Sequence, residues 1–447
     1  MSQNTRSAKV RKFCRGCLIG LFAGVLLVTA GLLFFCRSAV YNRFVRFPQE
    51  ERAWKSIQAD RRVPPDLAGW KDFRGVLHSH SHLSHDCEVP FEEILRVLKQ
   101  TGRDFICMSD HCDEGRADFS AQWRGLHDGV LFIPGYEMKA GFMPFGVASG
   151  TVLSNQMDPA ALAEGILKAG GLLFYAHPEE PREWNRAELT GMEIYNTHAD
   201  LKDEKGGLLG LMPELLVNQR RFPDQVFRTF FDRPSPNLRR WDELNLNRHL
   251  TGIGGNDCHQ NTGVRILCTS SGSLRVEDTS PKTLKELPLN GLTKPIARFL
   301  LGPLSPGTVL WQLQLDPYER MVRHVTTHVL AKDLDERSIL DSLKAGRAFV
   351  GFDTLADSTG FQWFAAGGSN PALMGESLPL GKELVLKSRS PHRCRFSILR
   401  NGTPVHQEEG WEVNWVPAEP GNYRVEAELQ IRDEWVPWVY TNPIHLR

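Results

Sequence analysis

The rhythm of apolar and polar positions changes three times along this chain. Residues 17–36 form an uncharged, mostly apolar run of about 20 residues, which at about 1.5 Å per residue spans the ~30 Å hydrocarbon core of a bilayer. From about Asp72, short apolar runs alternate with helical stretches. Arg74–Leu77, Phe105–Met108, Val130–Pro134, Leu172–Tyr175, Met192–Tyr195 and Gly252–Gly255 read as strands. A helix starts at Pro90, with Glu92 and Glu93 in its first turn and Ile94, Leu95 and Leu98 on its apolar face, and another covers Pro159–Lys168. Such alternation predicts an α/β fold with a parallel sheet closed, or nearly closed, into a barrel over 72–355. Within it, 201–249 reads as a helical insertion and 262–330, rich in Gly, Pro and Thr, stays unassigned. A helix at Asp335–Ala345 and a strand at Ala348–Phe352 look like one more αβ step.

The last stretch, 361–447, changes to a period of two. Tyr423, Val425, Ala427, Leu429 and Ile431 alternate with Arg424, Glu426, Glu428 and Gln430, as on a strand with one wet face. Asn401-Gly402 follows the apolar run Phe396–Leu399 and marks a hairpin turn. With Glu383–Leu386, Trp411–Val416 and Trp435–Tyr440, these predict a C-terminal all-β sandwich. Its tryptophans 411, 415, 435 and 438 read as packing groups.

Charge refines this picture at the N-terminus. Arg6, Lys9, Arg11, Lys12 and Arg15 lie in a basic tail, 1–16, ahead of the apolar run, and Arg37, Arg43 and Arg46 follow it. The heavier basic load in front predicts an uncleaved single-pass anchor in a cell membrane, with the N-terminus cytoplasmic and the rest extracytoplasmic (periplasmic), reached through a polar connector over 37–71. Phe34-Phe35-Cys36-Arg37 offers no small-residue cleavage site. Lys+Arg and Asp+Glu both number 53, so the chain lacks the global basic field of a stable nucleic-acid partner. Nine cysteines without regular spacing do not make a disulfide framework.

Candidate chemistry gathers at the strand ends. The first strand runs into His78-Ser79-His80-Ser81-His82-Leu83-Ser84-His85-Asp86, and the next ends in Ser109-Asp110-His111. Later ends carry Gly135-Tyr136-Glu137, Ala176-His177-Pro178, Glu193-Ile194-Tyr195-Asn196-Thr197-His198 and Gly255-Asn256-Asp257-Cys258-His259. Ten of the 15 histidines fall within 78–259, most of them just past a strand. The C-terminal rim of alternating barrels is where active sites are built. Imidazoles and carboxylates converging there need a cation, because buried lone pairs and like charges are unfavourable alone. Mixed nitrogen and oxygen donors suit Zn, Mn or Fe. His82, His127 and His249 read as ordinary polar residues, and those at 324, 328, 392, 406 and 445 as solvated or packing groups. Cys87, Cys112 and Cys258 read as small buried thiols beside the ligands.

These motifs, in this order, resemble the polymerase-and-histidinol-phosphatase (PHP) family of metallophosphoesterases over about 72–352. The resemblance rests on His-x-His followed by Ser, then Ser-Asp-His, Gly-x-Glu, His-Pro, Glu-x-x-Asn and Gly-x-Asp-x-His. It implies a distorted (β/α)7 barrel holding two or three divalent metal ions. One ion would be held by His78, His80, Glu137 and Asp257; a second would share Glu137 and add His177 and His198. The third would take His111, His259 and an acid after Ser84, but His85 stands there and Asp86 one place later, which leaves His85 and Asp86 as the alternatives for completing it. The implied reaction is hydrolysis of a phosphoester, as phosphatase or phosphodiesterase, by a metal-bound hydroxide, with Glu137 and Asp257 as bridging or orienting carboxylates. Asp110 and Asn196 are candidates to orient ligands from behind, and Arg116, Arg182 and Arg265 to contact substrate. The substrate class stays open between small-molecule and lipid phosphoesters.

Two other readings compete. An amidohydrolase-type hydrolase also uses His-x-His and a late Asp, but does not need Ser109-Asp110-His111 or the Asp257/His259 pair. A catalytically silent metal-binding ectodomain fits poorly with so full a ligand set.

Overall fold

The computed structural model describes residues 22–24, 26–27, 29–31, 34–112, 115–202, 207–279, 282–368 and 371–447, with backbone alone for 202 and 207–211. The basic tail 1–16 lies outside these residues, as does much of the apolar run 17–36. Among the described residues no helix is long and apolar enough to cross a membrane. The chain divides into two compact units, one drawn from Met1–Ala53 and Asp203–Phe231, the other from Trp54–Lys202 and Asp232–Arg447.

In the smaller unit the expected polar connector is helical instead. Arg37–Tyr41 runs through a π-helical turn, Asn42–Arg46, into the helix Phe47–Ala59. Gln49-Glu50-Glu51-Arg52-Ala53 are strong helix formers, and Arg46 pairs with Glu50 one turn on. Glu50 is buried and also receives Arg228, while Phe47 packs on Phe222. A polar sequence was here a helix with a charged seam.

The larger unit carries the strands. They are β1 (Lys71–Ser79), β2 (Phe105–Cys107), β3 (Val130–Ile133), β4 (Phe142–Phe145), β5 (Leu172–Tyr175), β6 (Gly191–Asn196) and β7 (Thr251–Cys258). Helix α1 (Phe91–Thr101) connects β1 to β2, and α2 (Pro159–Lys168) connects β4 to β5. Strands β3-β2-β1-β7-β6-β5 are all parallel neighbours, and β4 adds to β5 antiparallel. A bridge between Gly135 and Phe145 then joins the end of β4 back to the exit of β3. Both faces of a parallel strand are covered, so β2, β3, β5 and β6 are buried at every position. Alternate residues Phe105, Cys107, Leu131, Ile133, Met143 and Phe145 feed one continuous apolar core.

The segment left unassigned by sequence is a four-stranded antiparallel sheet. It comprises β8 (Gly263–Cys268), β9 (Leu274–Asp278), β10 (Thr283–Leu287), helix α3 (Thr293–Leu301) and β11 (Val309–Gln314), in the order β10-β9-β8-β11. Helix α4 (Tyr318–His324) leads back to β12 (Thr326–Ala331). After α5 (Glu336–Lys344), capped by Asp335, comes β13 (Ala348–Gly351). The expected helix and strand both form here, but the strand does not join the parallel set: β12 lies antiparallel on the first half of β1, and β13 lies antiparallel on β12.

A β-rich C-terminal region completes the mixed α/β fold. Its main strands are β14 (Gln362–Ala366), β15 (Val385–Arg400), β16 (Thr403–Trp415), β17 (Gly421–Ile431), β18 (Glu434–Thr441) and β19 (Ile444–Leu446). Strand β18 pairs with β13, so hydrogen bonding continues from the first sheet into this region. Asn401 and Gly402 have φ of 52° and 81°, the two left-handed residues of a tight hairpin between β15 and β16. The wet face expected for β17 is half covered. Arg424 is buried, forks onto Asp242 at 2.7 Å through both Nε and Nη2, and donates to Glu426, which also receives Arg233. An internal ion network replaces water there.

Candidate metal centre

The ends of the parallel strands meet at one place. His78 and His80 leave β1, Asp257 and His259 leave β7, and His177 follows β5. The two-residue strands Asp110–His111 and Tyr136–Glu137 pair side by side just past β2 and β3. Backbone strain marks the spot: His78, His177 and Asp257 have φ of 63°, 49° and 51°. The left-handed region is costly for residues other than glycine and collects at functional sites. Gly255 is required for a different reason, since a Cβ there would lie 1.9 Å from Glu193 Oε1.

A single pattern organises three of the imidazoles. His78 Nδ1 is 2.6 Å from Glu193 Oε1, which leaves Nε2 directed at Glu137 and Asp257, both at 3.3 Å. His177 Nδ1 is 3.0 Å from Glu179, and its Nε2 faces Glu137 at 3.2 Å and Asp257 at 3.5 Å. His80 Nδ1 meets Ser84 Oγ at 3.1 Å. That hydroxyl donates to Asp110 and accepts the His111 N–H, so it can take the His80 Nδ1 proton and nothing more. His259 differs: its Nδ1 lies 3.2 Å from both the Asp257 carbonyl and Asp257 Oδ1, and its Nε2 lies 3.3 Å from Asp86. In His78, His80 and His177 one ring nitrogen is held from behind and the other points inward, the arrangement of metal-ligating histidines.

The inward atoms are poorly served by one another. Nε2 of His80 and Oδ1 of Asp257 lie 3.3 Å apart, yet among the described residues neither has a hydrogen-bond partner, and the same holds for Oδ1 of Asp86; all three atoms are buried. Lone pairs facing each other in a dry site fit a cation between them. Four groups have donor atoms close enough to share one ion: His80, Asp86, His111 and His259; His78, His177 and Asp257; His78, His80 and Glu137; and His198, Asp257 and His259. The donor set of imidazole and carboxylate therefore fits divalent metal.

The electrostatics run the same way. Burial works against charge on Glu137, but the imidazoles of His78 and His177 hold its carboxyl well below the usual range. Burial likewise opposes charge on Asp257, and His78 and His259 outweigh it. Burial would strip the His78 proton, yet Asp257, Glu193 and Glu137 hold its pKa well above the ordinary value. Burial also opposes a charged His177, which Glu137 and Glu179 nonetheless raise to about 11. His80 goes the other way, pushed well down by burial and by His259, and stays neutral.

Several sequence expectations land differently. His85 is exposed and its ring is 5.1 Å from that of His111, outside all four groups, while Asp86 faces both His111 and His259. His198 gathers with Asp257 and His259 rather than with Glu137 and His177, its ring 5.3 Å from His259. Asp110 is buried and acts at one remove, gripping Ser81, Ser84 and Gln122. Asn196 donates to Glu193. Arg182 is tied to the Ala176 carbonyl and Glu180, Arg265 pairs with Glu277, and Arg116 is exposed; none is drawn to the imidazoles. Among the described residues the four groups contain no cysteine, and burial raises the Cys87 and Cys112 thiols to about 12.

Glu193 and Glu179 were missed as functional residues. Glu193 is fully buried, and its carboxylate accepts from His78, the His177 backbone N–H and Asn196. An acid between Met192 and Ile194 on a buried strand was the available signal. Glu179, two residues after His177, had none beyond its spacing.

No protein-family model matches the chain, and no curated protein matches it. Among solved structures it is similar to a two-domain protein from Bacteroides vulgatus containing a predicted PHP-like metal-dependent phosphoesterase. The likeness has a TM-score of 0.37 at 15% identity and covers 86% of this chain and 98% of that one.

Proposed function

We propose that this chain is a metal-dependent phosphoesterase of the PHP type, its ring of strands being the distorted seven-stranded barrel of that family. The observation that carries the reading is the inward aim of Nε2 of His78, His80, His177 and His259 onto the carboxylates of Asp86, Glu137 and Asp257. Two or three divalent ions, Zn, Mn or Fe, would be held by these residues with His111 and His198. The chemistry such ions supply is acidification of a water molecule and neutralisation of phosphoryl charge. Glu137 directs Oε1 at His177 and Oε2 at His78 and His111, the posture of a bridging carboxylate. Asp257 similarly splits its oxygens, Oδ1 toward His78 and His80 and Oδ2 toward His177. Glu193, Glu179 and Ser84 fix the imidazole tautomers, leaving lone pairs free for metal. His111 and Asp86, each 28% exposed, form the open side from which substrate enters.

The substrate is a small-molecule or lipid phosphoester. The protein is anchored by residues 17–36 with the catalytic unit outside the cytoplasm. Metal analysis of the purified protein followed by a panel of aryl phosphates and phosphodiesters tests the activity. Turnover should follow metal content and be lost in Asp257→Asn and His177→Ala. Full metal loading without release of phosphate or alcohol from any member of the panel would end the proposal.

A further inference from the structure

Helix α3 is built the wrong way round for a soluble surface. Leu292, just before it, together with Ile296, Phe299 and Leu300, follows the spacing i, i+4, i+7, i+8, which collects side chains on one helical stripe. Ordinarily that stripe is buried. Here Leu292 is 78%, Phe299 88% and Leu300 70% exposed, while the small Ala297, beside the stripe, is the residue turned inward. Single exposed apolar residues are commonplace, but a whole stripe of large ones marks an interaction surface.

A second feature lies behind the stripe. Lys294 and Arg298, one turn apart on the opposite face of α3, line an open pocket of about 540 Å³ with Gly291, Pro295, Pro303, Leu304 and Ser305. Neither cation forms an ion pair among the described residues. An apolar stripe with unpaired cations on the opposite, polar face is the pattern of a helix lying in a bilayer interface, acyl chains against one face and phosphate headgroups against the other. The whole device is carried on the sheet β8–β11, which leaves the strand ends four residues after His259.

We infer that α3 is a membrane-docking element, with Leu292, Ile296, Phe299 and Leu300 entering a leaflet and the Lys294/Arg298 cavity receiving the phosphate of an anionic lipid. The inference stands without the metal reading, since none of these residues touches the metal centre. It commits to a bilayer because a protein partner would leave two unpaired cations without a stated counter-charge, whereas an anionic leaflet provides both chemistries at once.

The test uses the full chain in vesicles of phosphatidylcholine with phosphatidylglycerol. A photoreactive residue replaces Phe299 in one sample and Val416, a 58% exposed residue of the C-terminal region, in another. Illumination should give lipid adducts several-fold more abundant at 299 than at 416. Lys294→Glu with Arg298→Glu should reduce them several-fold, and so should vesicles of phosphatidylcholine alone. Adducts to a second copy of the chain, or no lipid adduct at 299 beyond that at 416, would overturn docking. Adducts indifferent to charge reversal would overturn the role of the two cations. Because all the substituted residues are solvent-facing, circular dichroism should be unchanged throughout.

Discussion

Glu193 shows how much of this candidate centre is decided one atom behind the inward-facing imidazoles. Its Oε1 holds His78 Nδ1 at 2.6 Å, and its other oxygen holds the His177 N–H at 2.9 Å and Asn196 at 3.1 Å. Glu193→Gln keeps the volume but removes the charge that fixes the imidazole. Metal affinity should fall about 10–100-fold with the fold retained. Competition titration with a chelating dye reads this, and an affinity equal to that of the parent would contradict the positioning role. The inward-facing histidines were legible as a cluster, because a histidine one or two places past a strand end is a conspicuous polar interruption. What lay beyond reading was pairing across distance: the Ser84–Asp110 bond that sets the His80 tautomer joins residues 26 apart. His328 was read as an ordinary packing or solvated group, and it is a charged packing group. It is fully buried between Asp72 at 2.8 Å and Asp353 at 3.4 Å, with Arg103 behind Asp353. Burial disfavours its charge, but the two carboxylates raise its pKa to about 10 from an ordinary 6.5. The fold therefore binds this proton more tightly than the unfolded chain does. The stabilisation is complete below 6.5 and is lost as pH rises through about 10. His328→Gln should lower stability at neutral pH by about 3–5 kcal/mol, since it leaves buried carboxylates uncompensated. The gap from the parent in urea titrations should narrow across that alkaline window; a constant gap would refute the pairing.

At the scale of elements, punctuation proved more readable than environment. Pro90 and Pro159 at helix starts and Asn401-Gly402 as a turn all state a local backbone need, and the structure meets each. The hairpin allows a quantitative check. Gly402 has φ of 81°, and a Cβ there would lie 2.8 Å from Asp242 Oδ2, the same carboxylate that holds Arg424. Gly402→Ala therefore combines left-handed strain of about 1–2 kcal/mol with pressure on a buried ion pair. Chemical denaturation should show a loss of at least that strain, whereas Gly402→Asn, which tolerates the conformation better, should lose less. Equal losses would mean that strain is not the cause. Environment was harder. The period of two in β17 predicted a solvent face correctly in rhythm and wrongly in fate, because Asp242 and Arg233, nearly two hundred positions earlier, cover Arg424 and Glu426. Strand β10 is exposed at every position, so it has no apolar alternation to betray it. Helix α3 has the right periodicity with the stripe facing outward, which pattern alone cannot distinguish from a buried face.

At the scale of the whole molecule, the candidate metal centre is also a structural question. It lies where β1, β5, β6 and β7 end, and their exits converge only because each strand is parallel to its neighbour. That convergence leaves His80 Nε2, Asp86 Oδ1 and Asp257 Oδ1 buried and, among the described residues, without hydrogen bonds. It also imposes left-handed backbone on His78, His177 and Asp257. A fold carrying such costs at its strand ends is stabilised by whatever binds there and not to the unfolded chain. Saturating a site a thousand-fold above its dissociation constant contributes about 4 kcal/mol. Chelation should thus lower the unfolding midpoint of the parent, and readdition of Zn, Mn or Fe should restore it. Asp257→Asn removes a carboxylate shared by two of the candidate groups, so its midpoint should respond much less to either treatment. Calorimetric scans of both proteins, with and without chelator, separate the cases. If the parent melts at the same temperature in all conditions while its measured metal content changes, the strand ends are held by protein contacts alone. The inward lone pairs would then need another explanation than a cation.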